Sequence, residues 1–439
     1  MRKTTERSGT TRERIARLPL AGLTPAFIYD ENQLEHDLLL AADLARATSC
    51  RLLYSLKACS EYGVLELIAG HVDGFSCSSL SEAKLAASLP GSDGRVLHLT
   101  SPGLRAAEIA EIAALCDFVS LNSITAWQGH RKALTSLPET FLRSGAAAGR
   151  RSSPPRCGLR VNPGRRGRPG GPPGPGSPDD PEPARGPAQA LDERYDPCRR
   201  HSKLGAPLDQ VAEMLRSHPE ELAGLTGLHL HTTCEETDLS RLRETVHFVA
   251  AHLDPLLARL EWINLGGGYL LNAAADLAPF CETVAFLRSR YGMEVFVEPG
   301  TALVRKAGYL AASVVDLFPS DGKMVAVVDT TVNHMPEVLE FGFSPDVVGD
   351  SEAAPHRYLL AGCSCLAGDV FGEYRFDEPL TVGSRVTFEE AGAYALAKAH
   401  WLNGITLPAV WLLDRGGSLK LVRSFSYDDF ARQCGATRC

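Results

Sequence analysis

Leu52-Leu53-Tyr54-Ser55-Leu56-Lys57-Ala58 reads as a short apolar strand ending on a lysine, with Cys59-Ser60-Glu61 opening a helix behind it. The unit recurs along the chain. Apolar runs of strand length lie at 51–56, 72–76, 95–99, 117–121, 157–161, 225–230, 261–265 and 293–297. Helical patterns fall between most of them, at 60–70, 79–88, 104–113, 207–220, 238–258 and 276–290. A strand buried on both faces needs a continuous apolar run, whereas a helix laid over a sheet needs only one apolar stripe. Eight such repeats predict a (β/α)8 TIM barrel of the α/β class, with a doubly wound sheet as the alternative. Polar residues just after the strands favour the barrel: Lys57, Ser78-Ser79, Thr100-Ser101, Asn122-Ser123, Asn162, His231, Gly266-Gly267-Gly268 and Glu298. They would form the C-terminal rim, where barrels carry their chemistry.

Outside this rhythm the texture changes. Residues 1–22 are polar or basic and are expected to be a disordered tail, followed by a strand at 24–30 and an amphipathic helix at 31–47. The barrel is expected over 23–312. Within it, the Pro/Gly-rich interval 164–190 cannot bury enough apolar surface to pack and is read as a disordered insertion; without a strict Gly-X-Y period it is not collagen. From 313 to 439, runs at 313–318, 323–329, 357–361, 385–389, 409–413 and 418–424 alternate with turns such as Asp321-Gly322 and Arg415-Gly416-Gly417. They predict a mostly antiparallel β-barrel or sandwich, which the strand at 24–30 can join.

Composition excludes several classes. A formal charge of -8 gives no footprint for nucleic acid. The twelve cysteines have no close zinc spacing, since Cys363 and Cys365 are separated by a single residue, and they point to a reduced, cytoplasmic protein. No apolar region follows the basic start, so secretion is not expected, and no apolar run is long enough to span a membrane.

A lysine at a strand end can be a solvated surface group, or can form a Schiff base with an aldehyde cofactor. Gly266-Gly267-Gly268 can present N–H groups to a phosphate or simply make a tight turn. His229 and His231 share a strand face; zinc would need Cys234 or Glu235 in addition, at no recognised spacing, so no metal is assigned. One of the two can instead stack on a heteroaromatic ring. Glu298, before Pro299-Gly300, can cap a helix or keep a pyridine nitrogen protonated. Lysine, glycines, stacking histidine and carboxylate together suit one cofactor, pyridoxal 5'-phosphate.

Longer segments carry a resemblance. They include Tyr54-Ser55-Leu56-Lys57-Ala58, Asp73-Gly74, Ser78-Ser79-Leu80-Ser81-Glu82-Ala83, Gly158-Leu159-Arg160-Val161-Asn162-Pro163 and Tyr195-Asp196-Pro197-Cys198. Lys203-Leu204-Gly205, Gly227-Leu228-His229-Leu230-His231 with Cys234-Glu235, the glycine run and Glu298-Pro299-Gly300 extend it. His334-Met335-Pro336-Glu337-Val338-Leu339-Glu340 and Cys365-Leu366-Ala367-Gly368-Asp369 discriminate most. From about 24 to 427 the chain resembles the fold-type III, alanine racemase-like pyridoxal-phosphate enzymes, and within them the carboxynorspermidine/carboxyspermidine decarboxylases of polyamine biosynthesis.

The resemblance implies a carboxy-lyase that converts a carboxylated polyamine to norspermidine or spermidine and CO2. Lys57 would be the Schiff-base lysine, His231 the ring-stacking residue, Gly266, Gly267 and Gly268 the phosphate site, and Glu298 the partner of the ring nitrogen. Cys365, from the neighbouring subunit of a homodimer with shared active sites, would protonate the product carbanion. Tyr394 would approach the cofactor, and His334, Glu337, Glu340 and Asp369 would meet the substrate. The chain departs from the family pattern at Thr301, at Gly342-Phe343-Ser344 and at Ala393. Those departures leave open a decarboxylase of diaminopimelate or another basic or diamino acid. A racemase and a non-catalytic cofactor-binding protein are the readings further off.

Overall fold

The computed structural model describes residues 11–20, 22–136, 153–164 and 195–436, so all of the Pro/Gly-rich interval except Gly164 lies outside them. The chain divides into two compact units, Leu38–Ala302 and Met1–Asp37 together with Leu303–Cys439.

The first unit is a closed parallel barrel. Its strands are Arg51–Ser55, Gly74–Cys77, Val96–Thr100, Phe118–Leu121, Arg156–Asn162, Gly227–His229, Trp262–Asn264 and Glu294–Val297, one inside or overlapping each expected run. Phe296 in the last strand sits opposite Arg51 in the first, which closes the ring and excludes the doubly wound sheet. A short strand, Ala206–Pro207, adds to Arg156–Asn162. The rim is partly structural. Ser79 Oγ accepts the N–H of Glu82 at 3.2 Å, and Ser123 Oγ accepts that of Ala126 at 3.0 Å, so these serines cap the helices Leu80–Ala87 and Ile124–Thr135. The latter helix has no counterpart among the expected ones.

Inside, Leu53, Val96, Phe118, Trp262 and Phe296 form a buried cluster. The indole of Trp262 needs space that two neighbouring strands supply by lacking side chains. A Cβ on Gly227 would lie 1.9 Å from Trp262 Cε2, and one on Gly158 2.5 Å from Trp262 Cη2. The ring's polar end is satisfied as well, since Nε1 donates to Thr226 Oγ1 at 3.1 Å. Burying one such aromatic stabilises the barrel by about 2–3 kcal/mol.

The second unit is a mixed sheet rather than a wholly antiparallel one. Ala26–Asp30 lies at its centre, antiparallel to Gly308–Ser320 and parallel to Ala409–Leu413, so the strand near the N-terminus belongs to this sheet. Lys323–Val328 and His356–Ala361 are also parallel. Val370–Phe376, pairing with His356–Ala361, was not expected: its glycine and charged residues break the apolar alternation.

The expectation of a disordered tail over 1–22 fails for 11–20. Thr11–Ala16 is a helix, and Ile15, Leu18 and Leu20 join a core with Ala26, Ile28, Tyr309, Ala311 and Leu413. Arg14 Nη1 donates to both carboxylate oxygens of Asp30, at 2.8 and 2.9 Å, and Asp30 is fully buried. A count of charges missed this segment, because one of those charges neutralises a carboxylate that the sheet buries. Residues 1–10 lie outside the described ones. No helix among the described residues is long and apolar enough to cross a membrane.

Candidate active site

Lys57 follows the first barrel strand on a single 3-10 turn, Leu56–Ala58, whose two apolar members are buried while the lysine is exposed. Its charge is felt by Glu82, His229, His231 and Glu298, which places it among the rim residues of the other strands. Burial pushes the Glu82 carboxyl up, against a bond from the Ser78 N–H at 2.6 Å and the nearby Lys57 charge.

Glu298 lies at the centre of the polar groups and is buried. His229 Nε2 donates to its Oε1 at 3.0 Å, and Asn264 Nδ2 donates to its Oε2 at 3.1 Å. Burial alone would raise its pKa, but the hydrogen bond from His229 and the nearby Lys57 ammonium hold it well below the ordinary carboxylate range, so Glu298 is ionised. Burial lowers His229, which therefore donates as a neutral imidazole and leaves Nδ1 without a partner among the described residues. Two of the carboxylate's lone-pair positions are used and two remain. A protonated ring nitrogen is the kind of donor they fit.

His231 is half-buried; desolvation and the charges of Lys57 and Arg160 hold it well below its usual pKa. Its Nδ1 accepts the N–H of Gly267 at 3.1 Å, a neutral state with a flat ring at the rim. The glycines pack where no side chain fits. Gly266 and Gly268 have φ of +76° and +86°, and added Cβ atoms would lie 2.2 Å from Leu230 O and 2.0 Å from Thr233 O. Gly266 N–H donates to Asn264 Oδ1 at 2.8 Å. Two of the three N–H groups expected to hold phosphate thus have protein partners, and the turn is fixed from beneath. Ionised Glu298, the cramped glycine turn and the orphan nitrogen of His229 together fit pyridoxal phosphate.

The remaining expected residues lie in the sheet unit. Cys365 is exposed, and its N–H donates to Asn403 Oδ1 at 3.0 Å. Asp369, expected to meet the substrate, is buried. Its Oδ1 accepts the Val332 N–H at 2.8 Å, and its Oδ2 accepts the Ser364 N–H at 3.0 Å and the Ser364 hydroxyl. It ties the cysteine loop to the His334 segment instead of facing solvent. His334 is fully buried, with Nδ1 2.9 Å from Thr330 Oγ1; burial drops its pKa to about 3. Glu337 and Glu340 share Lys398, whose Nζ is 3.1 Å from Glu337 Oε1 and 2.5 Å from Glu340 Oε2. That ammonium also lies 5.2 Å from the ring centroid of Tyr394, a residue held at φ +56°. The unusual Gly342 has a structural reason: at φ +67° it ends the helix Glu337–Phe341 with a left-handed turn.

His98, Asn264, Ser120, Arg160 and Lys398 were not picked out beforehand. The signal of the first four was a polar residue inside an apolar strand, as in Val96-Leu97-His98-Leu99 and Trp262-Ile263-Asn264, which by itself does not say which way the side chain faces; Lys398 ends a short helix and had no such signal.

Comparison with known proteins gives this geometry a family. Residues 26–392 match the model of the pyridoxal-dependent decarboxylase, C-terminal sheet domain. A carboxynorspermidine/carboxyspermidine decarboxylase of Herminiimonas arsenicoxydans is 31% identical over 93% of this chain and 98% of its own. A carboxyaminopropylagmatine decarboxylase of Synechocystis is 29% identical over 96% and 97%. Among solved structures, carboxynorspermidine decarboxylase from Campylobacter jejuni, complexed with norspermidine, superposes with a TM-score of 0.75 at 26% identity, over 93% of this chain and 99% of that one. With a closed barrel, a mixed sheet unit and an ionised glutamate beside a glycine turn, the chain belongs to the pyridoxal-dependent decarboxylases.

Proposed function

We propose that this chain decarboxylates carboxynorspermidine or carboxyspermidine, releasing norspermidine or spermidine and CO2 in polyamine biosynthesis. The near full-length similarity to relatives of that activity carries the choice of substrate. The chemistry is supported by Glu298, a buried carboxylate that accepts from His229 and Asn264 and is held well below the ordinary carboxylate range with the help of the Lys57 charge.

Pyridoxal phosphate, when bound, supplies an electrophilic carbon and a π-system that takes up the electron pair left as the C–CO2 bond breaks. Lys57 would hold that carbon through its amine. Glu298 would keep the ring nitrogen protonated, His231 would lie against the ring, and the turn at Gly266, Gly267 and Gly268 would seat the phosphate. Tyr394 would approach the cofactor. Cys365 would deliver a proton from its thiol to the substrate α-carbon. Glu337 and Glu340 remain candidates for a cationic tail, which would have to compete with Lys398. Asp369 and His334 would shape the site by holding the cysteine loop and its neighbouring segment.

Assembly as a homodimer with shared sites, in the cytoplasm, belongs to the same proposal. Leu339, Phe341, Phe343 and Leu366 are exposed apolar side chains of the sheet unit, in which Cys365 is exposed as well, and side chains of this kind are what a second copy covers. The described cysteines are all free thiols.

The test is turnover. The purified chain with pyridoxal phosphate is given carboxynorspermidine, carboxyspermidine, carboxyaminopropylagmatine and diaminopimelate, and CO2 and amine are measured. Turnover of diaminopimelate or carboxyaminopropylagmatine with none of the first two overturns the substrate. Mixing inactive Lys57→Ala and Cys365→Ala proteins should restore activity if sites are shared; no recovery would argue against it.

A further inference from the structure

We propose that Asn264 and His98 are positioning residues that couple the two ends of the cofactor site, so that the carboxylate at the ring nitrogen and the turn at the phosphate move as one body. The inference rests on the reading that Glu298 and the glycine turn hold the cofactor.

The interior of a parallel barrel is ordinarily filled by apolar side chains, and a polar group there must be hydrogen-bonded. This barrel instead carries an unbroken polar chain. Ser120 Oγ lies 2.8 Å from His98 Nε2, His98 Nδ1 lies 3.0 Å from Asn264 Nδ2, and Asn264 Nδ2 lies 3.1 Å from Glu298 Oε2. Glu298 Oε1 continues to His229 Nε2 at 3.0 Å. All five side chains are buried.

Asn264 is the branch point. Its two amide hydrogens go to His98 and Glu298, while its Oδ1 accepts the N–H of Gly266 at 2.8 Å. The orientation is unambiguous. A flipped amide would set an oxygen against the Glu298 carboxylate and an NH2 against the Gly266 N–H, two like-facing pairs in place of two bonds. His98 reinforces the choice by accepting at Nδ1 and donating from Nε2 to Ser120. Burial, which lowers its pKa to about 3, keeps it neutral for that role. One side chain therefore sets both the first glycine of the turn and the carboxylate that faces the ring nitrogen. Shifting either disturbs the other.

The test separates coupling from general support of the fold, and needs no substrate. Full-length protein freed of cofactor is titrated with pyridoxal phosphate and with pyridoxal, which lacks the phosphate, following the visible absorbance of the bound form. The ratio of the two dissociation constants measures what the phosphate contributes. In Asn264→Ala, pyridoxal should bind about tenfold more weakly, and the phosphate contribution should fall several-fold as well. His98→Leu should move both quantities the same way by less. A loss of packing alone would lower the thermal midpoint and weaken both ligands equally. If the ratio is unchanged, Asn264 serves Glu298 alone and the coupling is wrong. Should Asn264→Ala fail to fold, His98→Leu carries the test alone; a folded His98→Leu protein with wild-type values for both ligands also overturns the proposal.

Discussion

Replacing Asp369 tests whether this carboxylate builds a loop or meets a substrate. In the structure it accepts three hydrogens, from the Val332 and Ser364 N–H groups and the Ser364 hydroxyl, while nearly excluded from water. In Asp369→Ala the buried Val332 N–H loses its partner, while the half-buried Ser364 groups can turn to water. An orphaned buried donor costs about 1–3 kcal/mol, and a bond to a charged acceptor contributes about 1.5–3 kcal/mol. Together these give a loss of roughly 4 kcal/mol. For a unit of this size that corresponds to a fall in Tm of roughly 10 °C. Asp369→Asn keeps the shape but points an NH2 at a donor, and should lose about half as much. Calorimetry on the full chain measures the shift, and alkylation followed by peptide mapping measures the reactivity of Cys365, which should change as its loop loosens. A variant that melts within about 2 °C of wild type yet needs far more substrate would show that Asp369 is a binding contact, and would refute the reasoning.

Gly268→Ala should abolish cofactor binding in a titration, because its Cβ would lie 2.0 Å from Thr233 O, whereas Gly292→Ala, at φ +69° with open space around it, should cost only about 1 kcal/mol. Lys57→Ala should remove the visible absorbance of bound cofactor; a wild-type spectrum would show that Lys57 is not the anchor. His98 and His334, with pKa values dropped to about 3 by burial, stay neutral in the fold while the unfolded chain takes up protons. Their stabilisation is present above about pH 6.5 and is lost as pH falls toward 3, by up to about 1.4 kcal/mol per unit for each. Melting from pH 7 to pH 5 should show that decline, and His334→Asn should flatten it for the sheet unit.

The barrel was legible because a strand buried on both faces admits little but apolar residues, and each of its eight strands announced itself. The places of Lys57, His231, Glu298 and the glycine turn just beyond the strands were legible because rim positions follow the strands directly. Val370–Phe376 was not, since a strand containing glycine, glutamate and arginine has no apolar signature. The segment 11–20 was missed because Arg14 counts as solvated until Asp30 is known to be buried. Asp369 was expected to meet the substrate on resemblance alone, and that its neighbours' N–H groups hold it depends on how the Cys365 loop folds back on Val332, which no local pattern encodes. The polar chain from Ser120 to His229 depends on which face each strand residue presents inside a closed ring. That fact arises from closure and is absent from any one strand.

The way Trp262 fills the space left by Gly158 and Gly227 also constrains how this sequence can vary. Either glycine changed alone drives an atom into the indole, and the tryptophan changed alone leaves a void beside two residues that cannot fill it. Viable routes to a different barrel interior must alter all three in concert. Natural drift should therefore carry the trio as a single inherited block, and a deep mutational scan should find each position intolerant by itself yet permissive in matched combinations.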